Sequence, residues 1–167
     1  MAVHEHHARA NRHARCAVVT VSDTRTDATD RSGARLKQLL TESGHEVVHY
    51  AIVPDDPSRI RAALGPVFAD PRIEAVFLTG GTGIAPRDTT FEAVRTLFEK
   101  EIEGFGELFR MLSYSDIGPA AMLSRATAGI AAGKVLFSMP GSTGAVELAM
   151  EKLVLPELGH ALHLLDG

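Results

Sequence analysis

Residues Thr79 to Asp88 read T-G-G-T-G-I-A-P-R-D, the stretch of this chain best suited to chemistry on an anion. Three glycines, Gly80, Gly81 and Gly83, fall within four positions, directly after the largely apolar run Ile73–Leu78. Glycine adopts positive φ without a Cβ penalty and lets amide N–H groups come close to a bound anion. Thr82 adds a hydroxyl, and Asp88 adds a carboxylate able to hold a cation. Such a loop on the end of a strand suits a phosphorylated ligand. Its bland alternative is a tight turn with no ligand. A second cradle lies at Pro140-Gly141-Ser142, ahead of a helix starting near Gly144 whose unpaired N–H groups and dipole favour an anion. Taken alone, Ser142 reads equally as a helix N-cap.

Two common phosphate-binding patterns are excluded. A P-loop, G-x-x-x-x-G-K-[S/T], requires a lysine that is absent here. Gly81-Thr82-Gly83 begins like a dinucleotide fingerprint, but Pro86 stands where the third glycine belongs. Asp55 and Asp88 each fall just past a predicted strand. Two carboxylates facing a triphosphate suit Mg2+, which takes a few carboxylates, phosphate oxygens and waters. The alternative for each is a helix-capping turn, since Asp55-Asp56-Pro57 and Asp88-Thr89-Thr90 both precede predicted helices. Arg87 and Arg125 are able to pair with phosphate or carboxylate bidentately. Asp23, Arg25 and Asp30 equally read as solvated loop charges. Cys16 opens a buried strand and reads as core rather than nucleophile. His45, His49, His160 and His163 have no evident partner in the sequence, and no Ser-His-Asp arrangement is defensible.

The elements that must position these loops alternate along the chain. Strands are expected at Cys16–Val21, Glu46–Val53, Ile73–Thr79, Ala126–Ala131 and Lys134–Met139. Cys16–Val21 is β-branched and almost wholly apolar, as a strand buried on both faces should be. Helices are expected at Ser32–Ser43, closed by Gly44, and from Pro57 through Phe68. Others are expected at about Thr90–Lys100, Gly106–Leu112, Pro119–Leu123, Gly144–Leu153 and Pro156–Leu165. This alternation implies right-handed crossovers and an α/β fold, a three-layer αβα sandwich around a mostly parallel central sheet. Ser22–Asp30, Pro54–Asp56, Gly80–Asp88 and Pro140–Gly144 each follow a strand. In open α/β sheets ligands bind beyond the carboxyl ends of the strands, so four loops at one edge point to a shared site.

The chain has 167 residues, 45% of them hydrophobic, which suits one domain with a proper core. Residues 1–14, with His4, His6, His7 and His13, read as a flexible leader ahead of a single domain over 15–167. A metal site from the leader histidines lacks a second ligand group. A formal net charge of −4 argues against broad binding to nucleic acid or anionic membrane. A single cysteine excludes an internal disulfide and fits a reducing cytosol. No apolar run approaches the roughly 18 residues of a membrane helix, and the polar amino terminus has no signal-peptide core. A cytoplasmic location is expected.

Six segments together resemble the MogA/MoaB family of molybdenum cofactor biosynthesis, closest to its MoaB branch. They are V-T-V-S-D-T-R (Val19–Arg25), V-P-D-D (Val53–Asp56), T-G-G-T-G-x-A-P-R-D (Thr79–Asp88), E-G-F-G-E (Glu103–Glu107), L-S-R (Leu123–Arg125) and M-P-G-S (Met139–Ser142). The resemblance covers about residues 14–165. It implies a molybdopterin-binding fold, a homo-oligomer (trimer or hexamer), and adenylylation of molybdopterin by Mg2+ and ATP with release of pyrophosphate. Its alternative is a non-catalytic molybdopterin-binding or scaffold protein of the same pathway, and a molybdenum insertase is the partner implied. By position, Asp88 matches the family's catalytic acid and Asp55 a second functional acid, the two also serving as the Mg2+ ligands. Gly80, Gly81, Thr82 and Gly83 match the nucleotide-phosphate loop. Ser22, Asp23, Pro140, Gly141 and Ser142 match loops lining the pterin and nucleotide pocket. Glu107 and Ser115 lie in the segment Glu103–Arg125, which borders it.

Overall fold

A computed structural model describes residues 12–167. The leader histidines His4, His6 and His7 lie outside the described residues. Among these residues six strands form one sheet in the order β2-β1-β3-β6-β5-β4. The strands are β1 (Arg15–Val21), β2 (Glu46–Val53), β3 (Ala75–Thr79), β4 (Lys100–Glu101), β5 (Thr127–Ala131) and β6 (Lys134–Met139). β2, β1, β3 and β6 run parallel, whereas β5 pairs antiparallel with both β6 and β4. The helices are α1 (Arg31–Glu42), α2 (Pro57–Ala69), α3 (Thr90–Arg95), α4 (Glu103–Ile117), α5 (Thr143–Ala149) and α6 (Leu155–Leu165).

Strand alternation sends successive side chains to opposite faces and thereby builds two cores. Cys16 and Val18 of β1 join Leu36, Leu40, Phe77, Phe109, Met139 and Met150 on one face. Ala17, Val19 and Val21 join Ile60, Leu64, Val76, Leu78, Val94 and Leu136 on the other. The central strands β1, β3 and β6 are buried almost throughout, which is why they are mostly apolar rather than alternating. Burial pushes the Cys16 thiol up to about 12, as befits a core side chain. Aromatic rings lock the first core: Phe77 stacks on Phe137 with centroids 5.6 Å apart, and Phe105 meets Phe137 edge-on at 5.2 Å.

Three expectations about elements are corrected. The helix expected over 90–100 stops at Arg95, because the chain beyond it is captured by the open edge of β5. The N–H groups of Glu99 and Ile102 donate to Ile130 and Ala128 carbonyls at 2.7 Å each, and Lys100–Glu101 becomes β4. The helix expected over 106–112 runs from Glu103 to Ile117. α5 and α6 are fused through a π turn at Met150–Val154, where the Leu155 N–H reaches back to the Met150 carbonyl. Pro156 has no N–H to give and its ring crowds the carbonyl four residues back, so the wider turn accommodates it.

β5 and β6 turn on Ala132 (φ 51°) and Gly133 (φ 73°), two consecutive left-handed residues as a two-residue hairpin of this hand requires. No helix among the described residues is long and apolar enough to cross a membrane.

Phe77 is fully buried at the centre of the stacked rings. Phe77→Ala is expected to destabilise the domain by about 3–5 kcal/mol, from lost transfer energy and the cavity left behind, measured by urea unfolding.

Candidate functional site

Strand order reverses at β1: the chain steps to one side to reach β2 and to the other to reach β3. That leaves a crevice at the carboxyl ends of β1 and β3. A cavity of about 250 Å³ occupies it, and the loops after β1, β2, β3 and β6 all contribute to its wall. Of the residues singled out from sequence, Ser22, Asp23, Asp55, Gly80, Gly81, Asp88 and Gly141 line it, together with Arg25 and Arg87.

The glycines are needed because the loops meet closely, on backbone at Gly80 and on side chains at Gly81. Gly80 has φ 108°, and a Cβ there would lie 2.2 Å from the Val21 carbonyl oxygen. Gly81 has φ 69°, and its Cβ would lie 2.2 Å from Thr90 Oγ1 and 2.4 Å from Asp55 Oδ2. The amide use differs from a simple cradle. Gly80 N–H donates to the Met139 carbonyl at 3.0 Å, extending the β3–β6 contact, and is spent. Among the described residues the N–H groups of Gly81, Thr82 and Gly83 have no hydrogen-bond partner.

Both acids are half committed. Asp55 Oδ1 accepts from Thr89 N–H at 3.0 Å and from the Thr89 hydroxyl at 2.7 Å, while the Asp55 N–H donates to Asp23 Oδ1 at 2.9 Å. Asp88 Oδ2 accepts from the Ala85 N–H at 3.0 Å. Asp55 Oδ2 and Asp88 Oδ1 keep their lone pairs clear of hydrogen bonds among the described residues. No group of three or more His, Cys, Asp or Glu side chains among the described residues converges to hold a metal. A closed protein cage is therefore not built here. Two carboxylates with unused oxygens, open to a cavity, fit Mg2+, which keeps waters and phosphate oxygens in its shell.

The remaining predicted residues are dispersed. Thr82 is buried, and its carbonyl accepts from Arg125 N–H at 3.0 Å. Gly83 backs onto Asp88, with a Cβ placed 2.7 Å from Asp88 Oδ2. Pro140 and Ser142 line a neighbouring cavity of about 320 Å³ with Ser113 and Asp116. Ser142 also caps α5, accepting from the Ala145 N–H at 3.2 Å. Glu107 faces a third cavity of about 470 Å³ beside Arg95 and Arg110. Ser115 is exposed on α4 and lines none of these three.

Of two readings of charged residues, one is met and one is corrected. Arg125 pairs bidentately with a carboxylate, Nη1 and Nη2 reaching the two oxygens of Glu92, and it also ties down the glycine loop from outside. Its Nε donates to the Gly83 carbonyl at 2.9 Å and its Nη2 to the Asp88 carbonyl at 3.1 Å, and it pairs with Glu92. The hydrogen bonds from Arg125 hold the Glu92 carboxyl below its usual range. Asp30 is not a solvated loop charge. It is 2% exposed, and its carboxylate accepts from Thr20 Oγ1 at 2.6 Å, Gly33 N–H at 3.0 Å and the Tyr50 hydroxyl. Burial works to raise its pKa, but those bonds and the Arg25 guanidinium outweigh it and leave the carboxyl below its usual range. The local sequence signal was Asp30 three residues before Gly33, an N-cap spacing; Tyr50 and Thr20 come to it only through sheet pairing.

The probable molybdopterin binding domain family matches residues 17–160. A molybdenum cofactor biosynthesis protein B from Bacillus cereus is 56% identical over 161 residues, 96% of this chain and 95% of that protein. The crystal structure of a molybdenum cofactor biosynthesis protein B is similar at TM-score 0.91 and 55% identity, covering 93% of this chain and 98% of the other. A tungsten cofactor synthesizing protein MoaB from Pyrococcus furiosus is similar at TM-score 0.84 and 38% identity, covering 93% and 99%.

The backbone contact at Gly80 separates strain from ordinary glycine flexibility. Gly80→Ala is expected to destabilise the protein by about 2 kcal/mol or more, from a left-handed backbone and a clash with Val21 O. Gly65→Ala, in open space on α2, should stabilise it by about 0.5–1 kcal/mol. Thermal melts of the two variants beside wild type check both.

Proposed function

The chain belongs to the MogA/MoaB family of molybdopterin-binding domains, and on that premise we propose that it acts in molybdenum cofactor biosynthesis as a Mg2+- and ATP-dependent molybdopterin adenylyltransferase. The observation that carries this reading is the strand-end cavity, where Asp55 and Asp88 face the same space as the Gly81 backbone and two arginines. Its own charge supports a cation-assisted polyanion: Asp23, Asp55 and Asp88 against Arg25 and Arg87 leave the wall negative, so a triphosphate entering alone would be repelled.

In the proposed reaction a phosphate oxygen of molybdopterin attacks the α-phosphorus of ATP. A phosphorus–oxygen bond forms to the pterin phosphate, the bond to the β-phosphate bridge breaks, and pyrophosphate leaves. Asp55 and Asp88 would hold Mg2+, whose chemistry is to neutralise charge building on the transferred phosphoryl oxygens. Gly81 offers an N–H group, Arg87 offers a guanidinium, and Thr89 keeps the Asp55 carboxylate oriented through its two bonds. Asp23 fixes the β1 and β2 loops relative to each other by accepting from the Asp55 N–H. Together they place the attacking and leaving oxygens in line rather than performing covalent chemistry.

The protein is further proposed to work as a homo-oligomer, trimer or hexamer, and to pass its product to a molybdenum insertase. Leu108, Met111, Ile117 and Met122 are exposed apolar side chains on α4 and the turn after it, a surface suited to a second copy.

Pyrophosphate release from Mg·ATP on addition of molybdopterin is the expected activity. Asp88→Asn should lower turnover by roughly 100-fold or more with an unchanged melt, and chelation of Mg2+ should stop release until Mg2+ is restored. Pterin bound by wild type without pyrophosphate release would instead identify a scaffold protein.

A further inference from the structure

We propose that Asp30 is a positioning residue for the strand-end site, acting through Arg25; the inference rests on reading that cavity as a phosphate site. Asp30 does not line the cavity, yet it is a buried carboxylate satisfied far beyond what a helix start needs. Capping α1 takes one oxygen and the Gly33 N–H at 3.0 Å, and an asparagine caps as well. Here Thr20, Tyr50 and Ser32 also converge on the side chain. The cation facing it is Arg25, whose Nη1 lies 3.7 Å from Asp30 Oδ1. Lys37 is engaged over the Tyr50 ring, 3.5 Å from its centroid.

Arg25 carries the link onward. Its Nη1 donates to Ser32 Oγ at 2.6 Å and its Nη2 to the Gly141 carbonyl at 2.8 Å. One guanidinium thus ties the loop after β1 to the loop after β6. Gly141 in turn packs on Gly80, its Cβ position 3.2 Å from Gly80 Cα, so the tie reaches the glycine loop. A guanidinium has five N–H donors, and these two bonds leave the rest of Arg25 for an anion in the cavity it lines. The buried charge on Asp30 holds Arg25 in that one pose.

Asp30→Asn keeps size and capping but removes the charge; Arg25→Gln removes the cation. Amide exchange in the unliganded full chain reads the link without any ligand. The reporters are Ala145 and Val146, whose N–H groups bond Ser142 Oγ and Ser142 O. Each single variant is expected to raise their exchange by roughly tenfold, with the double variant no worse than the larger single and Gly33 still protected. Unchanged exchange at Ala145 in Asp30→Asn, or increases that multiply in the double variant, would overturn the link. If Asp30→Asn does not fold, unchanged exchange in Arg25→Gln overturns it as well. In the pyrophosphate assay the same non-additivity should appear in KM for Mg·ATP. A wild type that releases no pyrophosphate contradicts adenylylation, and the exchange result still decides the link.

Discussion

The structure depends on a close backbone approach at the carboxyl ends of β1 and β3. Gly80 sits against the Val21 carbonyl with no room for a Cβ, and Gly141 closes on Gly80 from the third side. The reversal of strand order at β1 opens the crevice, and these glycines let four loops wall it instead of filling it. The two cores beneath are what hold the strand ends in register; their apolar residues come from both faces of the same buried strands.

Charge around the cavity is arranged in two tiers. The inner tier is open: Asp55 and Asp88 line the cavity, and each spends one oxygen on the protein and leaves the other without a hydrogen bond among the described residues. The outer tier is closed and serves geometry. Arg125 grips the glycine loop by two carbonyls and is held by Glu92, while Asp30 and Ser32 hold Arg25 on the Gly141 carbonyl. Groups tied to the backbone in this way cannot follow a ligand's charge, and Arg25 keeps its remaining donors for the cavity, which is how a site stays preorganised for a transition state.

Much of this was legible in the sequence, for identifiable reasons. The almost wholly apolar run at 16–21 marked a strand buried on both faces, and glycine-rich strand ends marked the site. The short β4 was not legible. Phe91, Val94, Leu97 and Phe98 carry a helical period, but the unpaired edge of β5 takes the chain over after Arg95. The partners of Asp30 and Arg125 were not legible for one common reason: most are distant in sequence and come near only through sheet pairing and loop packing. Thr20 and Tyr50 lie on neighbouring strands, and Gly83 and Asp88 lie roughly forty residues from Arg125. Glu107 and Ser115 matched a family segment, yet a fifteen-residue helix spreads its side chains around a cylinder, and neither reaches the strand-end cavity.

The central claim is that the crevice between β1 and β3 holds the nucleotide phosphates. A crystal structure of the protein with Mg2+ and an ATP analogue carrying a methylene bridge between the α- and β-phosphorus tests it most directly. Triphosphate density is expected beside the Gly81 amide and Arg87, with a cation on Asp55 and Asp88. A triphosphate bound elsewhere, with this crevice left to solvent, would contradict it.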